Sequence, residues 1–515
     1  MPESPSADPY YITTAISYPN GKPHIGHAYE AIAADAIARF HRLSGRDVRF
    51  QTGTDEHGLK MVQTARDKGV DVRDLCRAMS DEFQAMCDKL NISYDRFQRT
   101  TDPAHHRASI AIWEAMKASG DLYLDRYEGW YSVRDEAFYE EKELTEGEGG
   151  VKLSPQGTPV EWTVEESWFF KLSKYEKKLL ELYESQTDFI RPDSRRNEVV
   201  RFVEGGLRDL SISRTSFDWG VKVPGSPDHV MYVWVDALTN YLTGLGYPDV
   251  DGDMAKYWPA NLHLIGKDIV RFHAVYWPAF LMSAGLPLPK QIFGHGFLLH
   301  RGEKMSKSVG NVVDPIELAD AFGVDALRYF LLREVSFGSD GSYSEEAIVT
   351  RVNADLANNF GNLGQRCLSI IAKACEGVVP DHAASTEQDQ ALLDKLDLLA
   401  ATADTMIEHH LDISGALQTI WEGMTATNQY FAEQAPWSVR KTDPARGDAV
   451  LYFTAEALRR LAIMAYWAIP EGCAKMLGLL GRTAPANRNE RYDALVSGAT
   501  LPSPTGVFPR LELPA

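Results

Sequence analysis

The sequence has no apolar run long enough to cross a bilayer. About 18 uninterrupted apolar residues would be needed, and the longest candidate, residues 461–469, stops at Pro470. The first residues, MPESPSADPYY, have neither a basic start nor an apolar core, so no signal or transit peptide and no membrane association are expected. Cysteine is scarce: five of 515 residues (Cys76, Cys87, Cys367, Cys375, Cys473), with no CxxC pair. That argues against a disulfide framework and against a structural zinc site built on thiolates. It predicts reduced thiols in a cytoplasmic protein. Positive charge is also short. With 53 Lys and Arg against 72 Asp and Glu, the formal net charge is −19. A general nucleic-acid binder is disfavoured, although local basic patches on an acidic protein stay open. There is no fixed-period repeat and no low-complexity tract.

What the chain does have is length, an ordinary globular composition and one informative opening stretch. Its 515 residues predict two to four domains. Residues 10–27 read YYITTAISYPNGKPHIGH. A β-rich run passes through a Pro/Gly turn into a helix that carries His24 and His27 on its first turn. Unpaired N–H groups and the helix dipole favour an anion at such a start, and two imidazoles three residues apart share one face. A phosphate group is the expected ligand. A histidine at a helix start is often only a cap, so the strand and turn before it carry much of the argument.

The chain then alternates. Residues 28–43 predict an amphipathic helix ending near Gly45, and residues 48–52 a second strand, ending at Gly53-Thr54-Asp55-Glu56-His57-Gly58. This strand–helix–strand unit implies a Rossmann-like parallel sheet whose strand ends line one crevice. Residues 120–228, rich in aromatic and acidic residues, look like an insertion. The α/β pattern resumes near Met231 and continues through the run Leu262-His263-Leu264-Ile265 and the run Gln291-Ile292-Phe293. A basic loop follows, Lys304-Met305-Ser306-Lys307-Ser308 between Gly302 and Gly310. Such a loop is commonly just solvated surface, but two lysines three apart would suit a flap closing over polyphosphate. Beyond about residue 344 the apolar spacing is helical (Leu356, Phe360, Leu363, Cys367, Ile370), predicting a bundle. The expected divisions are 1–119 and 229–300 for the two halves of the catalytic α/β domain, 120–228 for the insertion, 301–349 for the lysine loop and stem-contact region, and 350–515 for an α-helical bundle.

Together, His24-Ile25-Gly26-His27 and Lys304-Met305-Ser306-Lys307-Ser308 resemble the signature pair of the class I aminoacyl-tRNA synthetases. Within that class the chain is most similar to the methionyl-tRNA synthetase family. The similarity covers AISYPNGKPHIGH, GTDEHG, YVWVDALTNY, LIGKDIVRFH, HGFLLHRGEKMSKSVGNVVDP, LANNFGNLGQR and EQAPW, in that order. It implies a methionine–tRNA ligase that forms methionyl-adenylate from L-methionine and ATP, with Mg²⁺ carried by ATP, and passes methionine to the 3′ end of tRNA(Met). It implies that His24, His27, Lys304 and Lys307 are catalytic. Gly26, Gly266, Lys267, Asp268, Gly294 and His295 would join them around ATP. Ala15, Ile16, Tyr18, Asp55, Trp234, Ala237, Tyr241, Ile269 and His273 match the methionine pocket, with Asp55 pairing the substrate amino group. Asp55 also reads as a cap for a helix after Gly58. Leu238 departs from relatives that have proline there. Asn362, Arg366 and Trp437 match anticodon readers, although the first two also read as a surface pair and Trp437 as core. Where many relatives carry cysteine zinc knuckles, residues 127–139 have no cysteine, so no zinc is expected and aromatics must hold the insertion. The insertion is too short for the large editing domain of other class I members. With little chain beyond the bundle, a monomer is expected. Other readings are another class I synthetase, a nucleotidyltransferase acting without tRNA, or a tRNA-binding protein without activity.

Overall fold

The computed structural model describes residues 8–135, 137–300, 302–304 and 312–513. Its centre is a parallel sheet. Strands β1 (Pro9–Thr14), β2 (Asp47–Thr54), β3 (Arg96–Arg99), β4 (Ile190–Arg191), β5 (Leu262–Gly266) and β6 (Ile292–His295) lie in the order β3-β2-β1-β5-β6-β4. Ile12 of β1 stands opposite Phe50 on one side and Leu262 on the other. Tyr10 and Ile12 enter one apolar core, whereas Tyr11 between them enters a second. This is the period of two that a strand imposes, and it makes the sheet the middle of three layers.

Five helices position the sites described below: α1 (Ile25–Leu43), α2 (Val72–Lys89), α3 (Pro103–Ala118), α4 (Val233–Thr243) and α5 (Asn362–Ala374). The α1 sequence is alanine-rich, with little side-chain entropy to lose on ordering, and it is buried on nearly every side. It ends at Ser44, and Gly45 follows at φ +83°, the left-handed stop that glycine adopts without strain. Asp35 in its middle accepts from Arg39 at 2.7 Å, from Arg328 at 2.7 Å and from the Ser93 N–H at 2.7 Å. Arg328 also donates to the Ala468 carbonyl at 2.9 Å, so one buried guanidinium ties α1 to the C-terminal bundle.

The stretch 120–228 is built on an antiparallel ladder between Leu122–Ser132 and Glu161–Phe170. It is also tied to the parallel sheet, because β4 pairs with β6 at the sheet edge. Two residues are too few to show a strand pattern in sequence. Aromatic rings do hold this part: Arg214 lies 5.4, 4.9 and 4.6 Å from the rings of Tyr131, Phe138 and Tyr232. A polar hub shares the task. Asp135 accepts from Tyr139 at 3.0 Å and from Ser154 and Thr158 at 2.6 Å each.

The bundle holds long helices at Glu387–His410, Ile413–Gln434 and Pro444–Ala465. Leu356, Phe360, Leu363 and Cys367 are buried as their spacing predicts. The turn before α5 is not a plain α-helix, since Asn353–Gly361 is wound as a π-helix. Among the described residues, no helix is long and apolar enough to cross a membrane.

Candidate active site

The chain leaves β1, turns and starts α1 at His24. The His24 ring caps the helix: its Nδ1 accepts the Gly26 N–H at 3.1 Å. The His24 N–H in turn donates to Nδ1 of His27 at 3.1 Å. The two rings stack with centroids 3.7 Å apart. A Cβ on Gly26 would come within 3.0 Å of the His24 ring, so glycine leaves room for the stack. The cap also fixes a tautomer. With both Nδ1 atoms accepting, each neutral ring carries its proton on Nε2, and both rings are hydrogen-bond donors at the positive end of a helix. The Ile25 N–H donates to the Val313 carbonyl at 3.0 Å, which brings the chain emerging from the lysine loop back to this helix start. On its other side, the Lys304 backbone pairs with Leu299. The Lys304 side chain and all of Lys307 lie outside the described residues.

Beyond their ladder, β1 and β2 stay paired through Ser17 N–H to Gly53 O and Asp55 N–H to Ser17 O, both 2.9 Å. That places residues 15–18 beside Asp55. A Cβ on Gly53 would approach the Gln98 carbonyl to 1.9 Å, so only glycine fits. Asp55 is 8% exposed. It is not a helix cap, because the next helix starts at Leu59 after Gly58 and has no side-chain cap. The capping alternative is therefore overturned, and the carboxylate sits at a strand end in the crevice.

Facing this edge is an aromatic cluster. Trp234 lies flat on Phe272, with centroids 3.8 Å apart and planes 5° apart. His273 lies edge-on to Trp234 at 6.1 Å. The His273 Nδ1–H donates to the Ile269 carbonyl at 3.0 Å, so its Nε2 accepts from the Tyr241 hydroxyl at 2.6 Å. Burial pushes the His273 imidazole down to about 4 and the Tyr241 hydroxyl well up, so both stay neutral. Ala15, Trp234 and Ile269 are partly exposed over the second core, Ala237 is buried in α4, and Ile16 is half-buried. Tyr18 is set apart from these, packing with Trp219 against Met61 and Leu75.

Two elements here were missed in the sequence. Phe272 adjoins His273, and an aromatic beside a pocket residue was the available signal. The other is a buried charge bridge. Asp236 of α4 contacts His57 Nδ1 and His105 Nε2, both at 2.6 Å, and is fully buried. Burial alone would raise its carboxyl, but the two histidines hold it well below the usual range. This bridge joins the loop carrying Asp55 to the helix carrying Trp234 and Ala237.

The adenosine-side residues are distributed less simply. Gly266 ends β5, and a Cβ there would meet the Asp268 carboxylate at 2.7 Å. Lys267 is engaged by both Asp340 oxygens at 2.8 Å. Gly294 and His295 end β6, and His295 Nε2 contacts Glu30 of α1 at 2.8 Å. Burial would lower the His295 imidazole, but Glu30 raises it overall. In the bundle, Asn362 and Arg366 are exposed one turn apart on α5. The Arg366 guanidinium lies 5.3 Å from the Trp437 ring and 5.1 Å from Phe431. Trp437 is 41% exposed, so it is not core.

Two family models divide most of the chain: "tRNA synthetases class I (M)" over residues 10–368, and "Anticodon binding domain of methionyl tRNA ligase" over 379–513. The chain belongs to the methionyl-tRNA synthetase family. It is 59% identical over 509 residues to the methionine–tRNA ligase of Brucella suis, covering 98% of each chain. It is 58% identical over 512 residues to that of Rhizobium meliloti, covering 98% of this chain and 99% of that one. A solved Mycobacterium tuberculosis methionyl-tRNA synthetase in complex with methionyl-adenylate superposes with a TM-score of 0.94 at 57% identity, covering 98% of this chain and 100% of that one. Membership in this family accounts for a parallel-sheet catalytic part joined to a helical anticodon-binding part.

Proposed function

We propose that this methionyl-tRNA synthetase family member is a methionine–tRNA ligase. It activates L-methionine with ATP, releases pyrophosphate, and transfers methionine from methionyl-adenylate to the 3′ end of tRNA(Met) for translation. The observation that carries the reading is the crevice itself: a buried carboxylate and an aromatic cluster face a helix start with two Nε2–H donors. The methionine carboxylate attacks the α-phosphate, an oxygen–phosphorus bond forms and the bond to pyrophosphate breaks. The reaction calls for positioning and charge neutralisation rather than a protein nucleophile. His24 and His27 donate to the phosphates, and Lys304 and Lys307 neutralise the departing pyrophosphate. Asp55 takes the substrate ammonium. Ala15, Ile16, Tyr18, Trp234, Ala237, Tyr241, Ile269 and His273 enclose the thioether, which aromatic rings favour through sulfur contacts. Gly26, Gly266, Lys267, Asp268, Gly294 and His295 surround the nucleotide. Mg²⁺ arrives with ATP, and zinc has no part in the reading. The working unit is a cytoplasmic monomer, with catalytic halves at 1–119 and 229–300, an insertion at 120–228, a lysine-loop region at 301–349 and an anticodon-binding part at 350–515. Charging of tRNA(Met) by methionine in a purified assay tests the reading; charging only with another amino acid would refute it.

A neutral Tyr241–His273 pair makes a pH prediction. Folding lowers the His273 value from ~6.5 to about 4. Its proton is therefore absent in the folded state at neutral pH, and stability is lost only as pH falls from the first value toward the second. The methionine KM should be flat between about pH 6.5 and 8 and rise only below about pH 5. An inflection near 6.5 that vanishes in His273→Gln would contradict the assigned state.

The exposed Arg366–Trp437 pair offers a stacking platform worth ~1–3 kcal/mol per base. Arg366→Ala should lower kcat/KM for tRNA by roughly 5- to 100-fold while methionine-dependent pyrophosphate exchange stays unchanged. A matched loss of exchange would show that the residue acts on the catalytic part instead.

A further inference from the structure

A second concavity, of about 680 Å³, lies outside the crevice, between α2, the turn from β3 to α3, and residues 218–222. We propose that it holds the phosphodiester backbone of the single-stranded 3′ end of tRNA. This rests on the ligase reading and assigns where the RNA terminus runs.

The cleft is cationic on a protein of formal net charge −19. Arg73 and Arg77 of α2, Arg99, and Lys222 line it, with the imidazoles of His57 and His106. Two of the cations are already satisfied: Arg99 by Glu56 at 2.7 Å, and Lys222 by Asp218. The α2 pair is different. Among the described residues, neither Arg73 nor Arg77 has a carboxylate in ion-pair range, and Arg73 rests only over the Trp219 ring at 5.8 Å. The two guanidiniums are four residues apart on an exposed face near the N-terminal, positive end of α2. Like charges at that spacing repel, and the dipole disfavours cations there. Asp71 and Asp74 in the same turn offset part of this. A phosphate between the arginines would relieve the rest.

Two further features choose the kind of anion. Trp219 is half-exposed and fixed by its indole N–H, which donates to the Glu56 carbonyl at 2.6 Å. An ordered ring beside a cationic groove suits an unstacked base followed by backbone. The cleft is also continuous with the site, because Trp219 shares its apolar cluster with Tyr18, and His57 is two residues from Asp55. A strand laid along it ends where the activated methionine must be handed over. The same phosphate chemistry is offered by free pyrophosphate or ATP, and the test separates the two sources.

The test compares the full chain with Arg73→Glu/Arg77→Glu and with Arg77→Gln alone. Methionine-dependent pyrophosphate exchange, tRNA charging, and binding of intact tRNA(Met) and of tRNA(Met) lacking its last four nucleotides are measured over a salt series. Exchange should stay within about twofold of the parent, which shows the variants fold, while charging by the double variant falls at least about tenfold. The parent should bind the trimmed tRNA more weakly than the intact one, and the double variant should bind both alike. Its salt slope for intact tRNA should be shallower by about 1 to 2, as expected for one or two lost phosphate contacts. Unchanged charging, or equal weakening toward intact and trimmed tRNA, overturns the proposal. So does a fall in exchange with a raised KM for pyrophosphate or ATP, which would assign the cleft to free polyphosphate. Absence of methionine-dependent exchange in the parent would instead refute the ligase reading.

Discussion

His24→Asn is expected to leave the protein folded and to lower methionine-dependent pyrophosphate exchange by about 10²- to 10³-fold, the usual cost of removing one preorganised donor from a developing charge. The substitution separates two roles of one ring. His24 caps α1 by accepting the Gly26 N–H. Asparagine caps helices about as well as any residue, so the helix start should persist. What it lacks is the Nε2–H donor that the cap fixes in place. His27→Ala should cost a similar factor in exchange and also some stability, since it removes the acceptor for the His24 N–H and the stacked ring. The measurements are exchange kinetics and thermal denaturation of the same preparations. A His24→Asn protein with full exchange would reduce the histidine to a cap. A loss that merely followed falling stability would say the same.

Asp236→Ala should be the most destabilising single change near the site, by about 3–5 kcal/mol, because removing one member of a buried charged group leaves the others uncompensated. His57 and His105 both point at this carboxylate from elements far apart in the chain. Asp236→Asn keeps an acceptor and should cost less. Because the native carboxyl lies well below its unfolded value of ~3.9, its contribution is present above about pH 4 and is lost only as pH falls further, through the folded value. Asp236→Asn should also raise the methionine KM, since the bridge sets the loop of Asp55 against the helix of Trp234 and Ala237. Denaturant unfolding followed by tryptophan fluorescence checks the first expectation and exchange kinetics the second. A change below about 1 kcal/mol would mean the bridge is not a structural keystone.

Local pattern carried a large part of this account. The strand before His24, the helix after it and the glycine after Ser44 follow from periodicity, alanine content and stop signals within some forty residues. The apolar spacing at Leu356, Phe360, Leu363 and Cys367 likewise marks a buried stripe. Less was legible where partners are distant. His57 and Asp236 are 179 residues apart, and no local rule pairs them. The edge strand β4 is two residues long, too short for a period. The π-wound turn before α5 has the same residue types as an α-helix. Among the site residues, Asp55 read equally as a cap until Gly58 was seen in the capping position. Lys267 read as a free cation, but Asp340, 73 residues later, engages it. The tautomer of the two histidines is not in the sequence at all, because it depends on which ring nitrogen faces the backbone.

The central claim is that one crevice joins a phosphate-binding helix start to a methionine-binding aromatic cluster. Pyrophosphate exchange into ATP, run with each of the twenty amino acids on the purified chain, tests it most directly. Exchange that depends on methionine and falls by about 10²-fold or more in His24→Asn is the expected result. Exchange driven equally well by another amino acid, or undiminished in that variant, would contradict it.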